Sequence, residues 1–201
     1  GLGIDTNDAD QMNVRFTYVR VYETAYVELS KGLLAGIGLH YSAHTSTRPG
    51  DDAEAAWDTS PYAEYSRENG LPLDSQTSAG ASLNLVMDTR DSPINASRGW
   101  LASASYRPFF KHVLGSDSNW QEVLLDLRTY VKVRKDGRQK LAFWVYGDFV
   151  ADGIAPYFDL PATGMDTYGR SGRGYTEGRF RGERLMYGEV EYRATLMRNG
   201  L

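Results

Sequence analysis

The sequence contains no cysteine among its 201 residues. This absence excludes disulfide scaffolds, thiolate metal sites and thiol nucleophiles. Long apolar runs are missing as well: the longest uncharged apolar stretch, residues 32–39, is far shorter than the roughly 18 residues that a spanning helix requires. We therefore expect no membrane-spanning helix in these residues.

The chain also has fewer positively than negatively charged side chains. The chain carries 22 Lys and Arg against 26 Asp and Glu, a formal net charge of −4, so it has no basic surplus to attract nucleic acid. What it has in quantity is 21 Gly, 14 Tyr, 7 Phe and 4 Trp, and this composition favours strands and turns. At this length a single domain, 1–201, is expected.

The strongest pattern is an alternation of apolar and polar residues, which is the period of a β-strand. It is most regular near 120–134, where one face is apolar: Val123, Leu125, Leu127, Thr129, Val131 and Val133. The opposite face is polar: Glu122, Asp126, Arg128, Tyr130, Lys132 and Arg134. The pattern lasts about twice as long as the usual soluble strand. Such a length suits a tilted transmembrane strand.

The same alternation predicts seven strands, near 14–29, 33–45, 78–90, 99–109, 119–134, 139–151 and 184–197. In the first of them Glu23 falls on the apolar face. We expect there either a β-bulge or an end of the strand beyond the bilayer.

The connections between these strands alternate between short and long. Residues 30–32, 134–139 and 198–200 form short links, whereas 46–77, 109–118 and 152–183 are long. Outer-membrane barrels have this arrangement, with the short turns in the periplasm. The alternative is a soluble sandwich or a lipocalin-like barrel, which the rows of charged residues on one face disfavour.

Seven strands do not complete a bacterial barrel, which closes with an even number of strands from eight upward. Open sheet edges in lipid would also leave backbone groups unsatisfied. The predicted fold is therefore an all-β, antiparallel, up-and-down transmembrane β-barrel fragment. Its expected partners are the lipid bilayer and the missing strands of the same barrel.

Two stretches resemble a known family. Residues 88–100, DTRDSPINASRGW, resemble the signature DxRDxPxxPxRG of the bacterial surface antigen family, which includes BamA, TamA and the two-partner secretion transporters; Ala96 departs from its second Pro. Gly172-Arg-Gly-Tyr175 resembles the family's (V/L)RG(F/Y) loop, with Gly172 in place of the branched residue. The resemblance covers roughly 78–201.

The resemblance implies a sixteen-stranded barrel of the bacterial outer membrane that inserts or transports other proteins. This chain would supply about the sixth to the twelfth strands, without a periplasmic repeat domain. The long loop would fold into the lumen, where Arg173 would meet acidic residues on the inner wall. Client outer-membrane or secreted proteins would be the partners.

The chemistry of the loop-motif residues also supports an interpretation that does not depend on the resemblance. Arg173 lies between Gly172 and Gly174, which allow a sharp backbone turn, and Tyr175 follows. The candidate partners on the polar face of the next strand are Glu189, Glu191 and Arg193, and a carboxylate there could accept a bidentate pair. The alternative is that the loop arginines are solvated charges: Arg170, Arg173, Arg179 and Arg181.

The turn motif predicts a structural role at the periplasmic rim. Its residues are Asp88, Arg90, Asp91, Pro93, Arg98 and Gly99. We expect Asp88, Arg90 and Arg98 to form a charge network, while Asp91, Asn95 and Ser97 cap backbone donors around Pro93.

No catalytic, metal or cofactor site is predicted, because no nucleophile elbow, paired-carboxylate context or metal-ligand spacing stands out. The leading hypothesis is an assembly or translocation barrel. A passive pore or anchoring barrel is the alternative, and a hydrolase housed in the lumen is a remote third.

Overall fold

The computed structural model describes residues 12–51, 54–134, 138–166 and 169–195. Seven strands dominate it: β1 (Val14–Ser30), β2 (Leu33–Pro49), β3 (Gln76–Asp88), β4 (Gly99–Phe109), β5 (Trp120–Lys132), β6 (Gln139–Gly153) and β7 (Arg184–Ala194). One α-helix, α1 (Pro61–Glu68), and three 3-10 segments lie in the connections: Glu54–Thr59, Val113–Gly115 and Tyr157–Asp159.

The strands form one sheet in the order in which they follow along the chain, and every neighbouring pair is antiparallel. The predicted all-β, up-and-down architecture with seven strands is confirmed. Among the described residues the sheet is open, so β1 and β7 each pair along one side. The centre of the predicted turn at 134–139, the end of the last predicted strand and the link at 198–200 lie outside the described residues.

The alternation along each strand gives the sheet two different faces. One face, which we call the outer face, carries large apolar side chains that are exposed: Val21, Val27, Ile37, Leu39, Leu83, Leu85, Leu125, Leu127, Val131, Phe143, Val145, Met186 and Val190. Ile37, Leu83 and Val190 are each more than 60% exposed. A soluble sheet would bury such a face, so the pattern is that of a lipid-facing wall.

The bulge expected at Glu23 is absent. Glu23 pairs with Leu39 in a register that runs unbroken from Thr17 to Glu28, and the irregularities lie outside that stretch, at Arg15–Thr17 and Glu28–Ser30. A single carboxylate on an apolar face does not interrupt a hydrogen-bonded ladder, because the ladder is formed by backbone groups alone.

The two longest connections fold over the opposite face, which we call the inner face. They are the β2–β3 loop (50–75) and the β6–β7 loop (154–183). The first contains α1, which the sequence analysis missed although its start is marked: the Ser60 hydroxyl accepts a hydrogen bond from the backbone N–H of Ala63, and Pro61 occupies the first turn.

An aromatic cluster joins these loops to the wall. Its buried members are Tyr62, Phe109, Trp120, Ala155, Tyr157 and Leu160. The rings of Phe109 and Trp120, on neighbouring strands, are stacked at 4.1 Å. This cluster packs the loops against the end of the sheet at which the long connections emerge. No described helix is long and apolar enough to span a membrane.

Candidate functional site

The β6–β7 loop is held to the inner face at its beginning by Asp159. The Asp159 carboxylate accepts hydrogen bonds from the hydroxyls of Ser42 at 2.8 Å and Ser78 at 2.6 Å. Both serines are buried and lie on inner-face positions of β2 and β3. The Trp120 indole N–H donates to the Ser78 hydroxyl at 3.3 Å, which continues the network to β5. One loop carboxylate is thus bonded to two strands of the wall.

Arg181 holds the same segment from the other end of the loop. Its guanidinium donates to the backbone carbonyls of Tyr157, Phe158 and Leu160 at 2.9–3.0 Å. Burial lowers the pKa of Arg181, while Asp159 acts in the opposite direction; a guanidinium nevertheless stays charged in proteins. Arg181 is therefore a half-buried structural cation bonded to three carbonyls, and the alternative that treated it as a solvated charge is wrong for this residue.

The glycines of the loop motif have the conformation that their position requires. Gly172 and Gly174 have φ angles of +69° and +94°, a region that residues with a side chain rarely adopt. The turn brings Arg173 to the wall, where its guanidinium donates to a carboxylate oxygen of Glu189. The neighbouring Tyr175 is 62% exposed and packs edge-on against Phe180 at 5.2 Å.

Glu189 lies halfway along the edge strand β7, where it pairs with Trp144 of β6. Its second carboxylate oxygen accepts a hydrogen bond from the Tyr187 hydroxyl at 2.7 Å. The loop therefore reaches from the end of β6 down to the sixth residue of β7. The Arg173 side chain is 59% exposed and that of Glu189 is 19% exposed, so water screens this ion pair in part.

The other two candidate partners bond to each other. Arg193 donates to Glu191 at 2.7 Å, and its guanidinium carbon lies 5.9 Å from the centre of the Tyr130 ring. Arg173, Glu189, Glu191 and Arg193 together line a cavity of about 50 Å³ between the loop and the wall. Its volume is large enough for a few waters.

A charged network that the sequence analysis did not single out lies beside this cavity. Arg128 binds Asp126 through two hydrogen bonds, at 2.6 and 2.8 Å. Its guanidinium also lies 4.9 Å from the centre of the Trp144 ring, whose N–H donates to Asp126 at 3.0 Å. These residues share the inner face by alternation, but their pairing across β5 and β6 depends on the register.

A second buried charge group lies nearer the aromatic cluster. Arg107 donates to Glu122 at 2.9 Å, and Asp148 lies on the adjacent strand, within hydrogen-bond reach of the Tyr146 hydroxyl at 3.4 Å. Arg107, Glu122 and Asp148, together with His40 and Asp159, border a cavity of about 80 Å³. The charges of both signs around this cavity suit ordered water.

The turn motif forms a compact structure at the opposite end of the sheet. Arg90 binds both carboxylate oxygens of Asp88 at 2.8 and 2.9 Å, and Asp91 accepts from the backbone N–H groups of Ser97 and Arg98. Gly99 has a φ of +91°, and a Cβ there would lie 2.3 Å from the carbonyl oxygen of Thr89.

The remaining residues of the turn motif make individual contacts at its periphery. Arg98 is mostly exposed and lies 3.9 Å from Asp91, whereas Pro93 accepts a hydrogen bond from Arg90 through its carbonyl. Asn95 does not cap a backbone donor as expected: its side chain accepts from Lys140 of β6 at 2.7 Å, which ties the turn to the neighbouring hairpin.

Within the described residues, no group of three or more His, Asp and Glu side chains is arranged to hold a metal ion. The Glu122, Asp148 and Asp159 carboxylates instead contact arginine, tyrosine and serine side chains, and the buried Asp166 carboxylate accepts hydrogen bonds from the backbone N–H groups of Arg170 and Ser171.

Comparison with solved structures identifies the fold. The chain is similar to the crystal structure of BamA from Haemophilus ducreyi lacking POTRA domains 1–3, with a TM-score of 0.60 and 16% sequence identity. The match covers 82% of this chain and 31% of that one, so the chain spans about a third of its length. No protein-family model and no curated protein matches the sequence. The fold is that of a segment of a BamA-like β-barrel.

Proposed function

We propose that this chain is part of a bacterial outer-membrane β-barrel that inserts or transports other proteins. The observation that carries the proposal is the β6–β7 loop, which folds along the inner face and reaches Glu189 through Arg173. A loop of about thirty residues is far longer than most connections, and ordered loops of this length usually have a function.

The two faces of the sheet support the membrane part of the proposal. The outer face is apolar and exposed, and the inner face carries ion pairs, as in an outer-membrane barrel. The loop supports the protein-handling part, because a loop lying along the inner wall takes up space that a passive pore would leave to solute. The proposed location is the outer membrane, with its lipids, the missing strands and client proteins as partners.

The experiment uses the full-length protein in liposomes, with an unfolded outer-membrane barrel as the client. Folding of the client is followed by its heat-modifiable migration. We expect client folding to be faster than in empty liposomes, and several-fold slower with Arg173→Ala than with the native protein. Arg179→Ala is the matched control, because Arg179 lies in the same loop with its guanidinium 5.7 Å from the centre of the Phe180 ring.

Hydrogen exchange across 169–181 should show a loop that is less protected in Arg173→Ala, while the barrel remains inserted. The global stability should change by about 1 kcal/mol or less, because the ion pair is partly exposed. If the inserted protein conducts ions but leaves client folding at the rate of empty liposomes, the passive pore is the better function.

A further inference from the structure

The loop between β4 and β5 exposes apolar side chains at the end of the sheet where the long connections emerge. All six residues of 110–115 are exposed, and three of them are large and apolar: Phe110 at 45%, Val113 at 46% and Leu114 at 73%. In the other two long loops Tyr62 and Tyr157 are instead buried in the aromatic cluster, although Tyr175 is exposed.

The loop that exposes these side chains has a backbone fixed by hydrogen bonds. The backbone N–H of Phe110 donates to Ala79 of β3 at 2.9 Å, and that of His112 donates to Ser116 at 2.8 Å. The Asn119 side chain accepts from the N–H of Lys111 at 2.8 Å. The apolar side chains are therefore presented by a fixed backbone.

The backbone of the loop is also strained in order to present them. His112 and Leu114 have φ angles of +68° and +48°, which residues other than glycine rarely adopt. Leucine has no local hydrogen bond with which to offset this strain, unlike asparagine or aspartate. A strained and exposed leucine costs folding free energy, and contact with an apolar partner would offset part of that cost.

The position of the β4–β5 loop and the charges beside it indicate what kind of partner its apolar side chains would contact. Phe110 continues the outer-face positions of β4 through Tyr106 and Pro108, so it lies at the rim of the apolar wall. The exposed Lys111 places a cation beside it. The nearby Asp117 carboxylate is turned back to β3, where it accepts from the N–H of Thr77 at 2.7 Å.

We propose that the β4–β5 loop anchors the barrel in the lipid leaflet on the long-loop side: Phe110, Val113 and Leu114 enter the acyl region, and Lys111 binds the phosphates of anionic headgroups. An apolar tip with an adjacent cation is the arrangement that binds a charged bilayer surface. This inference rests on the proposed membrane location, and the experiment below separates the two.

The test places a single cysteine at Leu114 of the full-length protein, with any cysteines outside this segment replaced, and labels it with an environment-sensitive fluorophore. The protein is inserted into liposomes whose lipids carry a nitroxide quencher at a shallow acyl position. Leu83→Cys on the outer face is the positive control, and Glu64→Cys on exposed α1 is the control for a loop that does not touch lipid.

We expect quenching at Leu114 and Leu83 but not at Glu64. Quenching at Leu83 without quenching at Leu114 would overturn the anchor and leave the membrane location intact. An unquenched Leu83 would refute the lipid-facing wall itself, and the anchor with it.

A second arm tests the headgroup contact. Adding phosphatidylglycerol to phosphatidylcholine liposomes should increase quenching at Leu114, and Lys111→Gln should abolish this increase while Lys111→Arg preserves it. An equal response of the Lys111→Gln variant would remove the phosphate contact from the proposal.

Discussion

The Gln76 side chain accepts a hydrogen bond from the backbone N–H of Tyr157 at 2.9 Å. Gln76 is the first residue of β3 and is fully buried, and its amide N–H₂ group donates to Ser66 of α1 at 2.8 Å and to the Pro72 carbonyl at 3.0 Å. One side chain thus connects the wall, the β2–β3 loop and the β6–β7 loop, so the two loops should move together.

Gln76→Leu tests this connection. Leucine is of similar size but leaves the Tyr157 N–H, the Ser66 hydroxyl and the Pro72 carbonyl without their present partner, at about 1–3 kcal/mol for each group that stays unsatisfied. We expect faster hydrogen exchange in both loops and little change in the strands. Gln121→Leu is the control, because its hydrogen bonds are exposed. Faster exchange in one loop only would show that the loops move independently.

The strands could be predicted from the sequence because the outer face must be apolar at every second position. For β4 the predicted and observed bounds agree at 99 and 109, and elsewhere the ends differ by a few residues. The helix α1 was missed because it has only eight residues and few of them are apolar, which is too little for a helical period to stand out. Its Ser60-Pro61 start was the available signal.

The site was less predictable. The sequence places Arg173 and Glu189 in a loop and on the next strand, but their contact requires the loop to turn inward. Asp159 and Arg181 were not predicted as anchors, because their partners are serine hydroxyls and backbone carbonyls far away in sequence, which leave no local pattern.

Leu127→Arg tests which face meets lipid. If Leu127 lies near the middle of the bilayer, the substitution should reduce the free energy of unfolding by about 2–4 kcal/mol. Ser103→Arg is the control: it lies on the inner face opposite Asp126, where a cation should be tolerated far better. The measurement is unfolding of the full-length protein in bilayers. Equal losses in the two variants would contradict the assignment of the faces.

The bond between Asp159 and Ser78 can be tested by a double-mutant cycle. Because each residue satisfies the other in a buried site, removing both should cost less than the sum of the single losses, with a coupling of about 0.5–3 kcal/mol. The variants are Asp159→Ala, Ser78→Ala and their combination, measured by thermal unfolding. Asp159→Ala combined with Ser103→Ala is the control and should be additive. Additivity in the first pair would mean that Asp159 does not hold the loop to β3.

Asp117 predicts a pH dependence of the β4–β5 loop. Burial, aided by the nearby Asp74 carboxylate, raises the pKa of Asp117, although the Thr77 N–H and Lys111 act in the opposite direction. The folded loop therefore holds the Asp117 proton more tightly than the unfolded chain does. The stability that this proton contributes is greatest in acid and is lost as the pH rises through the raised pKa.

Asp117→Asn should remove this dependence, because its side-chain oxygen still accepts from Thr77 but carries no charge. We expect the variant to be more resistant than the native protein to proteolysis of the 110–118 segment at about pH 7, and the difference to shrink toward about pH 4. Asp58→Asn, at an exposed carboxylate in the β2–β3 loop, controls for the loss of one negative charge. A native loop that is as resistant as the variant at neutral pH would mean that the charged Asp117 carboxylate is fully compensated by Lys111 and the Thr77 N–H.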